Sequence, residues 1–270
     1  MSLVRAAFRI AAVEALKGRT IFGDNVLDSQ AAALDAKADG TLVTDQAKPF
    51  IAVYLYDGKH DRVSGELRSL FVNGQCRIAF EIGIAATMTT RKANGENEVI
   101  AGFAMTDEET EFLLDMVGRE VRVALSDPDN AWAEVARGLA GSLDAMDLAT
   151  TRHAEGQRLA GHQLMFTASL ADDPVPGEAV DPDAPFGRFL ALMDASDDPV
   201  RSAQVEMMRG MIATDGAPSW QILQQRMGMT ADELLSLGRG PIPQDEDRET
   251  PENVAVTVDV DGVCTTEIVP

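Results

Sequence analysis

Apolar positions near the start of the chain recur at helical spacing. Over residues 2–17, Leu3, Ala7, Ile10, Ala11 and Leu16 gather near one face, and Arg5, Arg9, Glu14 and Lys17 take the others. That is the pattern of a helix burying one stripe. Ser2 can accept a bond from an unpaired backbone N–H at its start, and Gly18 can take the left-handed conformation that ends it. Residues 31–48 hold no sustained period, although Ala31–Ala38 could form a helical turn or two. After Pro49 the chain turns β-branched and aromatic, and Phe50–Asp57 reads as a strand. The connection between is longer than most loops of a compact domain, so it is either a functional arm or holds an element that periodicity does not reveal.

A second strand is expected over Glu66–Asn73 and a third over Gln75–Thr89. In the third, Ile78, Phe80, Ile82 and Ile84 share one face, and Arg77, Ala79, Glu81 and Gly83 the other. Asn73-Gly74 between the two runs predicts a hairpin turn. Thr106 and Glu109 form a capping-box pair. The helix they open runs to about Leu125, with Phe112, Leu113, Met116, Val117 and Val121 facing inward, until Pro128 stops it. Asn130 can cap a short helix, Ala131–Gly138, packing Trp132, Val135 and Leu139 together. Leu159–Leu170 alternates as a strand, with His162, Leu164, Phe166 and Ala168 on one face, and Asp147–Ala154 could pair with it.

From Ala171 the composition shifts. The acidic, proline-rich run to Pro185 has the character of an extended linker, open to proteolysis. Helices are expected over Phe186–Met193 and Pro199–Met211. A helix pair, Ser219–Met227 and Thr230–Leu237, turns at Gly228, and a second capping box joins Thr230 to Glu233. A further acidic stretch leads to a hairpin over Val254–Val269, turning at Asp261-Gly262. The expected organisation is an α+β body (1–172), a linker (173–185), a small helical module (186–240), and a linker with a C-terminal β-hairpin (241–270).

Charge narrows the partners. Forty-four Asp and Glu face 23 Lys and Arg, a formal net charge of -21. Such a chain repels nucleic acid and anionic membrane, because binding to phosphates needs clustered Lys and Arg. No apolar run reaches the ~20 residues of a membrane span, and no signal-peptide pattern opens the chain. Only 5% of the residues are aromatic, so the core is expected to be aliphatic with Met as filler. Cys76 and Cys264 lie too far apart in sequence for spacing to pair them, and a reduced, cytoplasmic setting is expected.

Recognisable catalytic chemistry is missing from the sequence. His60, His153 and His162 have no metal-ligand spacing, and there is no HExxH, CxxC, GxSxG or GxxxxGK[ST] pattern. No cofactor is implied and no enzyme is expected. The pair at 219–237 resembles a helix-turn-helix, a DNA-binding regulator's element. Yet its second helix is acidic where base edges would be met, leaving only Arg226 and Arg239 for phosphates.

The runs LVRAAFRIAAVEALKGRTIFGDNVLDS and KPFIAVYLYD, then RIAFEIGIAATMTT, the helix from Thr106, DPDNAWAEVARGL and RLAGHQLMFTASLADDPVPG, together resemble phage tail terminator proteins, the minor tail protein U group. The resemblance spans residues 1–177 as a succession of patterned segments, and the C-terminal third departs from it. It implies a mixed β-sheet flanked by helices. It also implies a non-enzymatic virion protein, made in the bacterial host cytoplasm, that closes the tail tube as a ring, usually of six subunits. Its partners would be itself, the tail tube protein and neck or head-completion proteins, with DNA passing the lumen without sticking. A neck adaptor or tail-completion protein is the alternative within the particle. Candidate interface residues are Lys37, Asp39, Asp45 and Lys48 on the 31–48 arm and Arg77, Glu81, Arg158 and His162 on the strands.

Overall fold

A computed structural model describes residues 2–30, 35–36, 42–43, 48–59, 69–91, 97–103, 108–152, 158–213, 218–240, 256–258 and 266–268. Its elements run α1 (Leu3–Leu16), β1 (Val26–Asp28), β2 (Asp35–Ala36), β3 (Leu42–Val43), β4 (Phe50–Lys59) and β5 (Gln75–Gly83). There follow β6 (Ala85–Arg91), β7 (Asn97–Phe103), α2 (Glu108–Ser126), α3 (Ala131–Leu139), β8 (Ala140–Arg152) and β9 (Arg158–Leu170). The last are α4 (Pro185–Asp194), α5 (Pro199–Ile212), α6 (Ser219–Met227), α7 (Ala231–Ser236), β10 (Val256–Val258) and β11 (Thr266–Ile268). The fold is α+β, and the chain forms two compact units, Met1–Met229 and Thr230–Pro270.

The first unit is built on a mixed five-stranded sheet in the order β1-β4-β5-β9-β8. The β1–β4 pair is parallel and the other pairs are antiparallel. Register aligns Val53 with Phe80 and Phe80 with Leu164, so apolar side chains from three strands share one side of the pleat. There they meet α1, α2 and α3 in a single core. Phe80 and Phe166 pack edge to face, centroids 5.7 Å apart. Buried Asn130 joins the three helices: its Oδ1 accepts from the Ala133 N–H of α3, and its Nδ2 donates to the carbonyls of Ala15 in α1 and Ala124 in α2.

The C-terminal helices extend this core, so the expected boundary at 172/173 is not where the chain divides. Phe186, Phe189, Leu190, Met193, Val205, Met208 and Ile212 are buried with the residues of the sheet, and Trp132 packs edge to face on Phe189. The α3–α4 approach is close: a Cβ on Gly138 would stand 2.8 Å from Pro185 Cγ. Residues 173–184 carry no helix or strand, as an extended linker would, yet they are fastened to the body. The Asp173 carboxylate accepts from Ser2 Oγ, the N–H groups of Leu3 and Val4, and Asn73 Nδ2, at 2.7–3.1 Å. It thereby satisfies unpaired N–H donors at the start of α1, where a negative charge is favoured. Val175 is fully buried, and the Gly177 N–H reaches the Ile212 carbonyl. The linker's composition misleads because prolines and acids also suit a segment strapped across a surface.

Three local expectations are corrected. Asn73-Gly74 does not turn a hairpin: residues 69–74 hold no strand, and β5 pairs instead with β4 and β9. Gly74 takes the left-handed conformation, φ +60°, and the pair holds the segment after β9, through Gly74 C=O to Leu170 N–H and Asn73 Nδ2 to Ala171 C=O. The 75–89 run breaks at Ile84 into β5 and β6, which lie in different sheets, β6 pairing with β7. Residues 35–36, expected within helical turns, pair antiparallel with 42–43. The Thr106 cap and residues 66–68 lie outside the described residues.

In the second unit α7 opens on the expected capping box: Glu233 N–H donates to Thr230 Oγ1, and Thr230 N–H to the Glu233 carboxylate. The strands β10 and β11 pair antiparallel, with Val256 opposite Ile268. Residues 259–265, including the expected turn at Asp261-Gly262, lie outside the described residues.

Candidate functional site

The helices cover four strands and stop short of the fifth. The bulged register of β8 sets Leu143 opposite Ala168, Met146 opposite Phe166 and Leu148 opposite Leu164. Cross-strand partners project to the same side, so these three stand on the helix-facing side of the sheet. Their β9 partners are buried, yet Leu143, Met146 and Leu148 are 63%, 51% and 61% exposed. The β8 edge thus presents an apolar row that no described helix of the first unit covers.

Beside this row the sheet and helices part into a cavity of about 480 Å³, lined mainly by apolar side chains including Phe8, Ile78, Phe80 and Phe166, with Leu143 at its edge. Protein cores hold few voids larger than a water molecule. The space is open to the surface beside the exposed apolar row. Two guanidiniums, Arg122 of α2 and Arg137 of α3, also line it. Arg137 pairs with Glu134. No ion pair or hydrogen bond engages the Arg122 guanidinium among the described residues, although Ser126 Oγ donates to the Arg122 carbonyl.

The opposite side of the sheet is polar. Glu81 is buried and accepts hydrogen bonds from Gln163 Nε2 at 3.0 Å and Tyr56 Oη at 3.2 Å. Burial nonetheless holds its carboxyl above the ordinary value, the two hydrogen bonds pulling the other way. The Tyr56 hydroxyl is raised as well, by burial and then by the Glu81 charge. Exposed Arg77 grips Asp57 with two parallel hydrogen bonds, Nε to Oδ1 at 2.8 Å and Nη2 to Oδ2 at 2.6 Å, which keep the Asp57 carboxyl low.

The expected interface residues therefore separate. Arg77 and Glu81 lie on the polar side; His162 lies on the other, buried, with Nε2 3.1 Å from Glu111 Oε2 and Nδ1 3.8 Å from Asp115 Oδ1 of α2. Lys48 is exposed before β4. Arg158 opens β9 in register with Arg152. Lys37, Asp39, Asp45, His60 and His153 lie outside the described residues. Sequence reasoning passed over Leu143, Met146 and Leu148. The apolar-polar run of 142–149 was their one signal, but only the register shows which side they take.

The face of α2 is also rotated from expectation. Leu114, Val117, Val121 and Ala124 are buried, while Phe112 is 65% and Met116 37% exposed. Arg226, one of two cations that DNA contact at the helix pair would need, is turned into its own unit, where it donates to the Asp173 carbonyl and pairs with Glu178. Among the described residues no His, Cys, Asp and Glu cluster could hold a metal ion, and no helix is long and apolar enough to cross a membrane. No protein-family model matches the chain, and no curated protein matches its sequence.

Proposed function

We propose that the protein is a structural subunit of a phage or phage-derived particle, assembling as a ring that closes the head-proximal end of the tail tube and presents a surface for head or neck attachment. The observation that carries this reading is the β8 edge. Its apolar row is exposed on the side where β4, β5 and β9 contribute buried residues to the core. A monomer in water gains nothing from such a row, whereas a subunit flanked by copies of itself can bury it. The resemblance of residues 1–177 to tail terminators supplies the kind of assembly. The charge of -21 suits a lumen through which DNA slides without sticking.

Negative-stain imaging of particles made without the gene tests the reading. Overlong, ragged tubes beside unjoined filled heads are expected. Tails of normal length that fail to join heads would make the protein a connector instead, and normal particles would remove it from the virion.

A further inference from the structure

We propose that the cavity mouth beside β8 receives the N-terminal half of α2 from a second copy of this chain, a head-to-tail contact that rests on the ring reading above. The receiving surface is apolar with a basic rim. Leu143 lines the cavity and exposed Met146 and Leu148 continue the row along β8; Phe80 and Phe166 line it from the sheet, Arg122 and Arg137 from the helices. Side chains of this row stand roughly perpendicular to the sheet, so pairing at the strand edge would leave them bare. A sheet face is buried by a packed layer, and here helices are what cover the neighbouring strands. A helix laid on the sheet is the matching occupant.

This chain carries such a helix segment. Phe112 and Met116, four residues apart on one face of α2, point away from the core, which holds Leu114 and Val117. Exposed Glu108, Glu109 and Asp115 flank them. An acidic, apolar helix start complements an apolar hollow with guanidiniums at its wall, in a protein where cations are outnumbered nearly two to one. Arg122, which has no ion pair among the described residues, gains one in the contact.

Donor and acceptor are different patches. Phe112 and Arg122 are ten residues apart on α2, roughly 15 Å along a helix axis. Each copy offers one donor and one acceptor, and a contact between unlike patches propagates from subunit to subunit until it closes. That is the connectivity a ring requires.

The test uses two full-length variants altered only at exposed positions: Leu143→Asp/Met146→Asp for the acceptor and Phe112→Asp/Met116→Asp for the donor. Masses are read by sedimentation over a concentration series. Wild-type chain is expected to assemble and each variant to stay monomeric. An equimolar mixture should form a one-to-one heterodimer and nothing larger, because one intact donor meets one intact acceptor and both remaining patches are spoiled. Arg122→Glu alone should weaken wild-type assembly by about tenfold or more. Either variant assembling as wild type does, or a mixture that stays monomeric, overturns the contact. So does a wild-type monomer that takes up dodecanoate one-to-one, which would give the cavity to a small amphiphile. Overlong tails in particles lacking the gene would leave the ring reading standing even where this contact failed.

Discussion

Arg201 and Glu14, 187 residues apart in sequence, meet with Nη2 of the guanidinium 2.8 Å from the carboxylate Oε1. The two side chains are 9% and 17% exposed. The same guanidinium lies 3.5 Å from Asp28, itself 2.6 Å from Arg9 Nε, and donates to Gln204 Oε1 at 3.0 Å. The pair joins α5 to α1, and Asp28 brings in β1. Arg201→Ala would leave Glu14 with Lys17, 2.8 Å away, and Asp28 with Arg9, so the expected loss is that of charge-assisted hydrogen bonds, about 1.5–3 kcal/mol. Denaturant midpoints check the value. The double variant Glu14→Gln/Arg201→Ala should lose less than the two single losses summed, since each single variant already breaks the contact.

Glu81 makes stability depend on pH in the direction opposite to a salt-bridged acid. Its carboxyl is raised above the ordinary 4.5 because burial penalises the charge. The folded state therefore holds a proton more readily than the unfolded one. The resulting stabilisation is complete below about pH 4.5 and is lost as pH rises through the folded value. Glu81→Gln keeps an oxygen for Tyr56 and Gln163 and removes the charge. Thermal melts should show the variant more stable than wild type at neutral pH, with its advantage shrinking as pH falls through that window.

Cys76 is 2% exposed in β5, and burial pushes its thiol up to about 11. Only the thiolate attacks disulfides and alkylating agents. Peptide mapping after iodoacetamide treatment at pH 8 should find Cys76 unmodified in native protein and modified after denaturation. Labelling at equal rates in both states would contradict its burial.

Phe80 is 1% exposed between β4 and β9 and packs on Phe166. Phe80→Ala is expected to cost about 3–5 kcal/mol through lost transfer energy and the void it leaves. An unchanged unfolding midpoint would place the side chain on the wrong side of β5.

What the sequence discloses depends on whether a residue's neighbours are close in chain or only in space. The α1 helix, the Asn130 cap and the Thr230–Glu233 box are local matters, and each stands as the residues foretold, although α1 buries Val4, Phe8, Ala12 and Val13 beyond the expected stripe and leaves Leu3 half-buried. The alternation of His162, Leu164, Phe166 and Ala168 likewise survives intact, because period two in a strand leaves no other side for them. Gly74 takes the left-handed conformation that such a dipeptide favours, but no hairpin follows from it: the partner of β5 comes from 50–59, which no dipeptide encodes. Phe112 and Met116 carry helical period correctly, yet which arc of α2 meets the sheet is settled by Val121 and Ala124 a turn or two further on. The candidate surface was least legible, since an apolar row reads as core until the structure shows that no described helix covers it.

The carboxylate of Asp173 at the start of α1 also bears on the order in which the protein can be completed. During synthesis α1 precedes the group that satisfies its Leu3 and Val4 N–H donors, which is made some 170 residues later. Closing so long a loop is slow relative to local contacts. Until Asp173 leaves the ribosome, α1 carries an open end, and the C-terminal helices that bury Phe189 and Met193 are still unmade. The start of α1 is therefore completed only in chains that reach the segment after β9.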